Sequence, residues 1–284
     1  MPSLKVIKRR ILSVTVTKKV MKAINMVAMS KLQRVKQQMD AARPMVRETR
    51  RIVDGLSDSM VISDNVYMKP REVKNTLYIV ISGNRGLCGG YNAKILEAAL
   101  SHMGTGRNER IIAIGKKGRD FLTRRGKNVI QTQIGMAETA SFGDVYPISS
   151  LIASLYRSGD IDEVYVAYTE YKTALSHIPQ VVRILPIEGP PEKPDGYGPE
   201  KMRYETGVDA FLDHTVPMYL NTFMYGALLE STTCENAARI INMDSAVNNA
   251  SEIIDKLTLM HNRKRQAIIT QEISEIVNGV SMTQ

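Results

Sequence analysis

The sequence predicts an α/β fold in which two long terminal helices form an antiparallel coiled coil, with a Rossmann-like domain inserted between them. Three observations lead to this prediction. Apolar residues recur at steps of three and four from Leu4 to Leu56, which is typical of a coiled-coil helix. A second seam of this kind runs through the C-terminal part of the chain. Between the seams, strand-like and helical stretches alternate, as they do in a mostly parallel sheet.

The N-terminal seam predicts one long helix. Its apolar positions are Leu4, Ile7, Ile11, Val14, Met21, Ile24, Ala28, Leu32, Val35, Met39, Ala42, Val46, Val53 and Leu56. Such a helix, rising about 1.5 Å per residue, is longer than an ordinary domain is wide, so we expect it to project beyond any core of this chain. Pro44 removes one backbone hydrogen bond and is expected to bend the helix near Asp40.

The C-terminal seam predicts a second long helix, which starts after Pro217 and ends at a C-cap at Gly279. Its positions are Thr233, Ala237, Ile240, Met243, Val247, Ala250, Ile254, Leu257, His261, Lys264, Ile268 and Gln271. Two long seams at opposite ends of one chain most simply pair with each other. The last positions are polar, so we expect this end to contact another protein; a two-helix stalk with a polar end is the alternative.

The middle of the chain predicts a five-stranded sheet. The predicted strands are TLYIVI (76–81), RIIAIG (110–115), KNVIQT (127–132), EVYVAYTEY (163–171) and PQVVRILPI (179–187), and the predicted helices are 92–102, 116–125 and 145–158. Only seven residues separate the last two strands, which is too few for a crossover helix, so we expect an antiparallel hairpin at the sheet edge. The proline- and glycine-rich stretch 188–200 is predicted as a connector. The predicted domains are residues 1–58, 70–200 and 208–284.

The charge of the chain is concentrated at its N-terminus. The net charge of the 284 residues is +9. Residues 1–51 hold fourteen Lys and Arg against two acids, whereas the rest of the chain holds 24 basic and 27 acidic residues. One-signed charge at this density indicates an acidic partner, either nucleic acid, a membrane surface or an acidic protein; a solvated helical face is the simpler interpretation.

The composition excludes several classes of protein. No apolar run approaches the ~18 residues of a membrane span, and the N-terminus lacks the apolar core of a secretory signal. The two cysteines and four histidines show no disulfide framework and no metal-ligand spacing. There is no G-x-S-x-G elbow and no H-E-x-x-H or C-x-x-C motif. We therefore expect no metal, no cofactor, no catalytic residues and no direct membrane insertion.

The stretch SGNRGLCGGYN (82–92) lies between a predicted strand and a predicted helix, as a phosphate-binding loop does. A Walker loop needs a lysine and a hydroxyl residue directly after the last glycine, but Tyr91 and Asn92 follow here. The dinucleotide fingerprint needs an acid at the end of the next strand, but that strand ends in Gly115 and two lysines. We interpret the loop as a sharp turn whose glycines supply positive φ, or as a partner-contacting loop with Arg85 and Cys88 on its exposed rim.

Specific stretches of the chain resemble the gamma subunits of F-type ATP synthases. KKVMKAINMVAMSK (18–31) is similar to the family's KITKAMxMVAxSK, and the loop ISGNRGLCGGYN is similar to its SDRGLCGGxN. The C-terminal RQAIITQEISEIVNG resembles the family signature RQAxITQEISEIVxG. The resemblance covers essentially the whole chain. Near the neck of the helix, Val20, Met21, Ile24 and Met29 depart from the usual residues, so contacts carry over less well there.

The resemblance implies a central rotor shaft that is not itself catalytic. It would couple ion-driven rotation of the membrane c-ring to ATP synthesis on a surrounding hexamer of alpha and beta subunits, or hydrolysis to ion pumping. Its α/β domain would grip the c-ring together with the epsilon subunit. The implied location is peripheral, on the cytoplasmic face of a bacterial plasma membrane, as part of the ATP synthase complex.

The resemblance also implies which residues contact the hexamer. Lys18, Lys19 and Lys22 would meet the acidic lever of a beta subunit, and the loop would add Arg85 and Cys88. The C-terminal helix would meet the bearing and catch loops through Arg239, Arg265, Gln266, Thr270 and Glu272.

Two other functions compete with this interpretation. A Rossmann-type enzyme with coiled-coil arms would bind ATP or NAD as an isolated chain. A nucleic-acid-binding coiled coil would bind DNA with a steep dependence on salt. The near absence of aromatic residues from the basic N-terminal segment disfavours the second alternative.

Overall fold

The computed structural model describes residues 3–57, 65–69, 71–104, 108–136, 140–187 and 208–281. In chain order the elements are α1 (Leu4–Ser57), β1 (Asn75–Ile81), α2 (Tyr91–His102), β2 (Asn108–Ile114), α3 (Lys116–Arg124), β3 (Val129–Gln133), α4 (Phe142–Arg157), β4 (Glu163–Tyr171), β5 (His177–Leu185) and α5 (Val208–Ser281). The strand bounds differ from the predicted ones by at most two residues. The predicted connector 188–200 lies outside the described residues.

The five strands form one sheet in the order β3-β2-β1-β4-β5. Strands β1, β2, β3 and β4 run parallel, whereas β4 and β5 form an antiparallel pair at the edge. This topology confirms the predicted fold class. From the central strand β1, the chain first adds β2 and β3 toward one edge of the sheet. It then adds β4 and β5 on the opposite side of β1, toward the other edge. The switch point of this doubly wound sheet therefore lies between β1 and β4.

Successive side chains of each strand point to opposite faces of the sheet, and both faces are packed. On one face, Leu77, Ile79 and Ile81 of β1 belong to a core that also contains buried side chains of α1, α4 and α5. On the other face, Tyr78 and Val80 pack with buried residues of α2 and α3. Both faces of the sheet are thus covered, as expected for a parallel sheet.

The predicted N-terminal seam is the face of α1 that is buried. Its described positions are all buried or half-buried, with Ile7, Ala28, Val35, Met39 and Val53 at 5% exposure or less. Most of the seam of α5 is also buried or half-buried, with Gln271 as an exposed exception. Apolar periodicity therefore identified which side of each long helix packs.

By its contacts the chain divides into two compact units. One consists of Met1–Met29 with Arg239–Gln284, and the other of Ser30–Ala238. The start of α1 thus groups with the end of α5, while the remainder of each helix groups with the sheet. This reversed order confirms the predicted antiparallel pairing. Within the parts that the structure describes, no helix is long and apolar enough to cross a membrane.

The C-terminal helix starts at the first residue of the predicted domain 208–284, earlier than the position after Pro217 that the seam indicates. Helix α5 begins at Val208, so Pro217 lies inside it. An interior proline costs a helix about 3 kcal/mol. Leu212, Val216 and Leu220 are fully buried beside it, and burying such a side chain contributes about 1.5–3 kcal/mol. Packing therefore outweighs the local preference of proline.

The predicted C-cap at Gly279 is also wrong, because α5 continues to Ser281. Pro44 does not end helix α1, which runs through it to Ser57. Buried Met39 and Ala42 precede this proline, so packing compensates here as well. The predicted bend near Asp40 stays a prediction.

Candidate functional site at the switch point of the sheet

The glycine-rich loop connects the carboxyl end of β1 to the start of α2, directly at the switch point. Gly89 has a φ of 55°, which confirms the prediction that a glycine supplies positive φ in this turn. Gly83 is closely packed, since a Cβ built there would lie 2.8 Å from the Glu235 carboxyl carbon and this carboxyl group would have to shift. Gly115, at the start of α3, has a φ of 101°, and its Cβ would lie 2.1 Å from the Ser82 carbonyl oxygen.

In a phosphate-binding loop, backbone N–H groups are free to bind the anion. Here, side chains of the loop and of α2 accept hydrogen bonds from these N–H groups. The N–H of Gly83 donates to Asn92 Oδ1 at 2.8 Å. At the start of α3, the N–H of Lys116 donates to Asn84 Oδ1 at 3.0 Å, and that of Gly118 donates to Ser82 Oγ at 2.8 Å. These amides are therefore already bonded and do not point at an anion.

The rim of the loop carries Arg85 and Leu87, both exposed. The sequence missed Leu87, which is 59% exposed and has a φ of 64°. The prediction that Cys88 is exposed is wrong, because its side chain is 2% exposed. The residue in the left-handed conformation turns its own side chain outward, and the next side chain packs inward against Tyr91, Cys234 and Ala238.

Helix α5 fills the crevice at which a doubly wound sheet ordinarily binds its ligand. Ligands of such sheets lie outside the carboxyl ends of the strands at the switch point. Here the Glu235 carboxylate lies against Gly83 after β1, and Glu230 and Ser231 contact the end of β4. A carboxyl side chain of the chain itself therefore lies where a phosphate would need to bind.

At the end of β4, side chains of α5 form the hydrogen bonds that a neighbouring strand would otherwise form. The ladder between β1 and β4 ends at the pair of Val80 and Ala167. Beyond it, the N–H of Thr169 donates to Ser231 Oγ at 3.1 Å, and the N–H of Tyr171 donates to Glu230 Oε2 at 3.2 Å. The Cys234 thiol donates to the Thr169 carbonyl oxygen at 3.6 Å. The backbone of β4 is thus satisfied by a helix where β1 no longer reaches.

Burial changes the acid–base properties of this crevice. Burial and the neighbouring Glu235 carboxylate raise the pKa of the Tyr91 hydroxyl well above its usual value, although a hydrogen bond with Ser231 lowers it. Burial also raises the pKa of Cys234. It raises the pKa of Glu230, and the bond from the Tyr171 N–H acts in the opposite direction. These shifts follow from the burial of Tyr91 and Cys234, whereas Glu230 is half-buried.

The polar run from Ser231 to Asn236 was not singled out in the sequence. All six side chains are buried, at 7% exposure or less. Six consecutive residues span more than one helical turn, so every side of α5 is covered along this segment. The run is visible in the sequence as six consecutive polar or small residues that follow the apolar stretch of α5 before residue 230.

The other predicted contact residues lie in the first compact unit. Lys19 and Lys22 on α1 are exposed, and Lys18 is half-buried. On α5, Arg239 is half-buried and the remaining four are exposed: Arg265, Gln266, Thr270 and Glu272. The predicted residues of both helices thus belong to the same unit, whereas Arg85 and Cys88 of the loop belong to the other. Their contact with a partner stays a prediction.

Comparison with known proteins identifies close relatives along the whole chain. The sequence profile of a family described as ATP synthase matches residues 3–282. The chain is 40% identical over 280 residues to the ATP synthase gamma chain of Alkaliphilus metalliredigens, with 96% of each chain covered. It is 38% identical over 281 residues to the ATP synthase gamma chain of Desulforamulus reducens, with 99% of each covered.

Solved structures share the fold at lower identity. A chain of the rotor of the Euglena gracilis mitochondrial ATP synthase superposes with a TM-score of 0.70 at 19% identity, covering 94% of this chain and 98% of that one. A chain of the central stalk and c-ring of the Tetrahymena thermophila mitochondrial ATP synthase gives a TM-score of 0.63 at 19% identity, covering 80% and 99%.

Proposed function

The chain belongs to the ATP synthase gamma chain family, and on this premise we propose that it is the central rotor shaft of an F-type ATP synthase. It carries rotation between a membrane c-ring and a hexamer of alpha and beta subunits. The nucleotide is bound by that hexamer, and this chain contributes no catalytic residue. We further propose that it works in a complex at the cytoplasmic face of a bacterial plasma membrane.

The observation that carries this proposal is the occupied crevice between β1 and β4. A nucleotide enzyme of this fold leaves that crevice open for its ligand, whereas here α5 fills it with Glu230, Ser231 and Glu235. The arrangement joins a long helix to a sheet through a buried and a partly buried hydrogen bond. It suits a part that transmits force and argues against the Rossmann-type enzyme.

The charge of α1 supports a partner of opposite sign. Residues 1–51 contain fourteen basic residues and two acidic ones. We propose that Lys18, Lys19 and Lys22 meet acidic residues of a beta subunit, with Arg239, Arg265, Gln266, Thr270 and Glu272 at the hexamer bearing. Arg85 adds a contact from the loop. Cys88 is kept only as a support for the loop, because it is buried. The predicted division into residues 1–58, 70–200 and 208–284 is retained as part of this proposal.

Reconstitution in cells that lack their own gamma chain tests the proposed function. We expect the chain to co-purify with alpha, beta and epsilon subunits and to restore ATP-driven proton pumping in inverted membrane vesicles. A matched chain that ends before residue 239 lacks the C-terminal part of the first unit and serves as the control. Salt-sensitive DNA binding without any of these subunits would instead support the nucleic-acid-binding alternative. Heat released on titrating ATP into the isolated chain would support the enzyme.

A further inference from the structure

The hydrogen bonds between α5 and β4 are directional in a way that apolar packing is not. Glu230, Ser231 and Cys234 lie on one face of the helix, because residues three and four apart are neighbours on its surface. Each residue turns an α-helix by about 100°. A rotation of α5 by one residue therefore removes all three bonds, whereas apolar burial is non-directional and depends on area alone.

The strand is also built to receive these bonds. Thr169 on β4 lies opposite Pro179 on β5, in a pair whose backbone groups point away from each other. The N–H of Thr169 points away from β5 and donates to Ser231 Oγ at 3.1 Å. The carbonyl of the same residue accepts from Cys234. Since Ser231 and Cys234 are 1% and 0% exposed, water does not compete for either bond.

We infer that Glu230, Ser231 and Cys234 form a latch that fixes the angular position of α5 against the sheet and makes the helix turn with it. Ser231 and Glu230 are then positioning residues for torque transfer. They touch no nucleotide and act through the helix that they hold. This inference rests on the proposed rotor function, because only a helix under torque requires an angular lock in addition to a packed core.

Hydrogen exchange in the assembled ATP synthase tests the latch itself. Ser231→Ala removes the acceptor of the Thr169 N–H, and Glu230→Ala removes that of the Tyr171 N–H. Each variant is expected to speed exchange at its own amide by at least about fivefold, the size of one net hydrogen bond. The Ala167 amide, which lies within the ladder of β4, is expected to stay protected.

Conservative and matched variants separate the hydrogen bond from other effects. Glu230→Gln retains a carbonyl oxygen and is expected to preserve protection of the Tyr171 amide. Ser245→Ala removes an exposed hydroxyl of the same helix that bonds only within it, to the Ile241 carbonyl. It is expected to leave both amides unchanged. Parent-like exchange in Ser231→Ala and Glu230→Ala would overturn the latch.

Rotation measured on single complexes tests the role in torque transfer. With a probe on the α/β domain and the shaft stalled in the hexamer, Ser231→Ala and Glu230→Ala are expected to broaden the distribution of probe angles. They are also expected to lower the protons pumped per ATP hydrolysed, while Glu230→Gln stays near the parent. A merely structural role would lower thermal stability and leave the angular spread and this ratio unchanged, which would overturn the inference. A parent complex that never rotates would overturn the proposed function, whereas the exchange result reports on the latch alone.

Discussion

Val46 on α1 and Gly226 on α5 approach each other so closely that a Cβ built on the glycine would lie 3.1 Å from Val46 Cγ2. The glycine thus allows the two terminal helices to meet beside the sheet. Glycine costs a helix interior about 1 kcal/mol relative to alanine. Close helix packing at this point therefore offsets a local loss of helix stability.

Enlarging Gly226 is expected to destabilise the helix pair. A leucine at this position overpacks the contact with Val46 and is expected to lower the free energy of unfolding by about 1–3 kcal/mol. Thermal unfolding followed by circular dichroism measures the change. Gly143→Leu is the control, because a Cβ at this exposed glycine of α4 has only Ser141 Oγ within 4 Å, at 3.9 Å. Equal losses in both variants would contradict the close contact.

Gly83→Ala is expected to disturb the crevice between β1 and β4. The added methyl would lie 2.8 Å from the carboxyl carbon and one oxygen of Glu235, and we expect a loss of about 1–3 kcal/mol in unfolding free energy. Chemical denaturation checks this value. Gly104→Ala provides the comparison, since its Cβ would meet nothing within 4 Å. A neutral Gly83→Ala would show that the Glu235 carboxyl group is not held against Gly83.

Both cysteines are expected to resist alkylation in the folded protein. Cys88 and Cys234 are 2% and 0% exposed, and burial raises the pKa of Cys234. Because the thiolate is the reactive form, raising the pH from 7 to 9 is expected to accelerate labelling far less than it does after unfolding in urea. Mass spectrometry after iodoacetamide treatment measures this. Rapid labelling of Cys88 in the native chain would instead support the prediction from the sequence that Cys88 is exposed on the rim of the loop.

Glu230→Gln is expected to change how stability depends on pH. Burial raises the pKa of the folded Glu230 above its unfolded value, which is about 4.3. The folded state then holds this proton more tightly, so the parent loses stability as pH rises from about 4.3 through the raised pKa. The glutamine variant lacks this loss, and its stability relative to the parent is expected to rise across that window.

Urea denaturation at a series of pH values gives this difference. Arg43, Glu170 and Lys172 also act on the Glu230 carboxyl, but they are the same in both proteins. Glu252→Gln, at an exposed position of the same helix, is the matched control. A stability difference between Glu230→Gln and the parent that does not vary with pH would contradict the raised pKa of this half-buried carboxyl group.

Reversing the charges of Lys18, Lys19 and Lys22 is expected to weaken coupling if they face an acidic lever. Replacement by glutamate turns attraction into repulsion, and the loss is expected to shrink at high salt because exposed charges are screened. ATP-driven proton pumping in vesicles, compared with ATP hydrolysis, measures the effect. Charge reversal at Lys5 and Lys8, exposed residues of the same helix, is the control. Pumping that stays unchanged in the triple variant would count against the contact.

Much of the fold is readable from local patterns. Strand β1 is a continuous apolar run because both faces of it are covered, and the short link between β4 and β5 leaves only a hairpin. The start of α5 was harder to predict, since Pro217 is unfavourable in a helix and is tolerated only through tertiary packing.

The crevice was not predictable from the loop sequence alone. The loop has the glycines of a phosphate cradle, and what occupies the space beside Gly83 is a carboxylate from a residue about 150 positions later in the chain. Periodicity follows a single apolar face, so it does not report that Ser231 and Cys234 are buried on the sheet. Cys88 was misplaced because its direction depends on the φ of Leu87.

The filled crevice also sets the order in which the chain can be completed during synthesis. Strands β1 and β4 emerge from the ribosome well before Glu230 and Ser231. Until those residues are synthesised, the N–H groups of Thr169 and Tyr171 lack the acceptors that they have in the folded chain. Contacts between such distant segments form late and slowly. The end of β4 in the nascent sheet therefore keeps unpaired backbone groups until α5 has been translated. A chain truncated before that helix would expose these unpaired groups and be prone to aggregation.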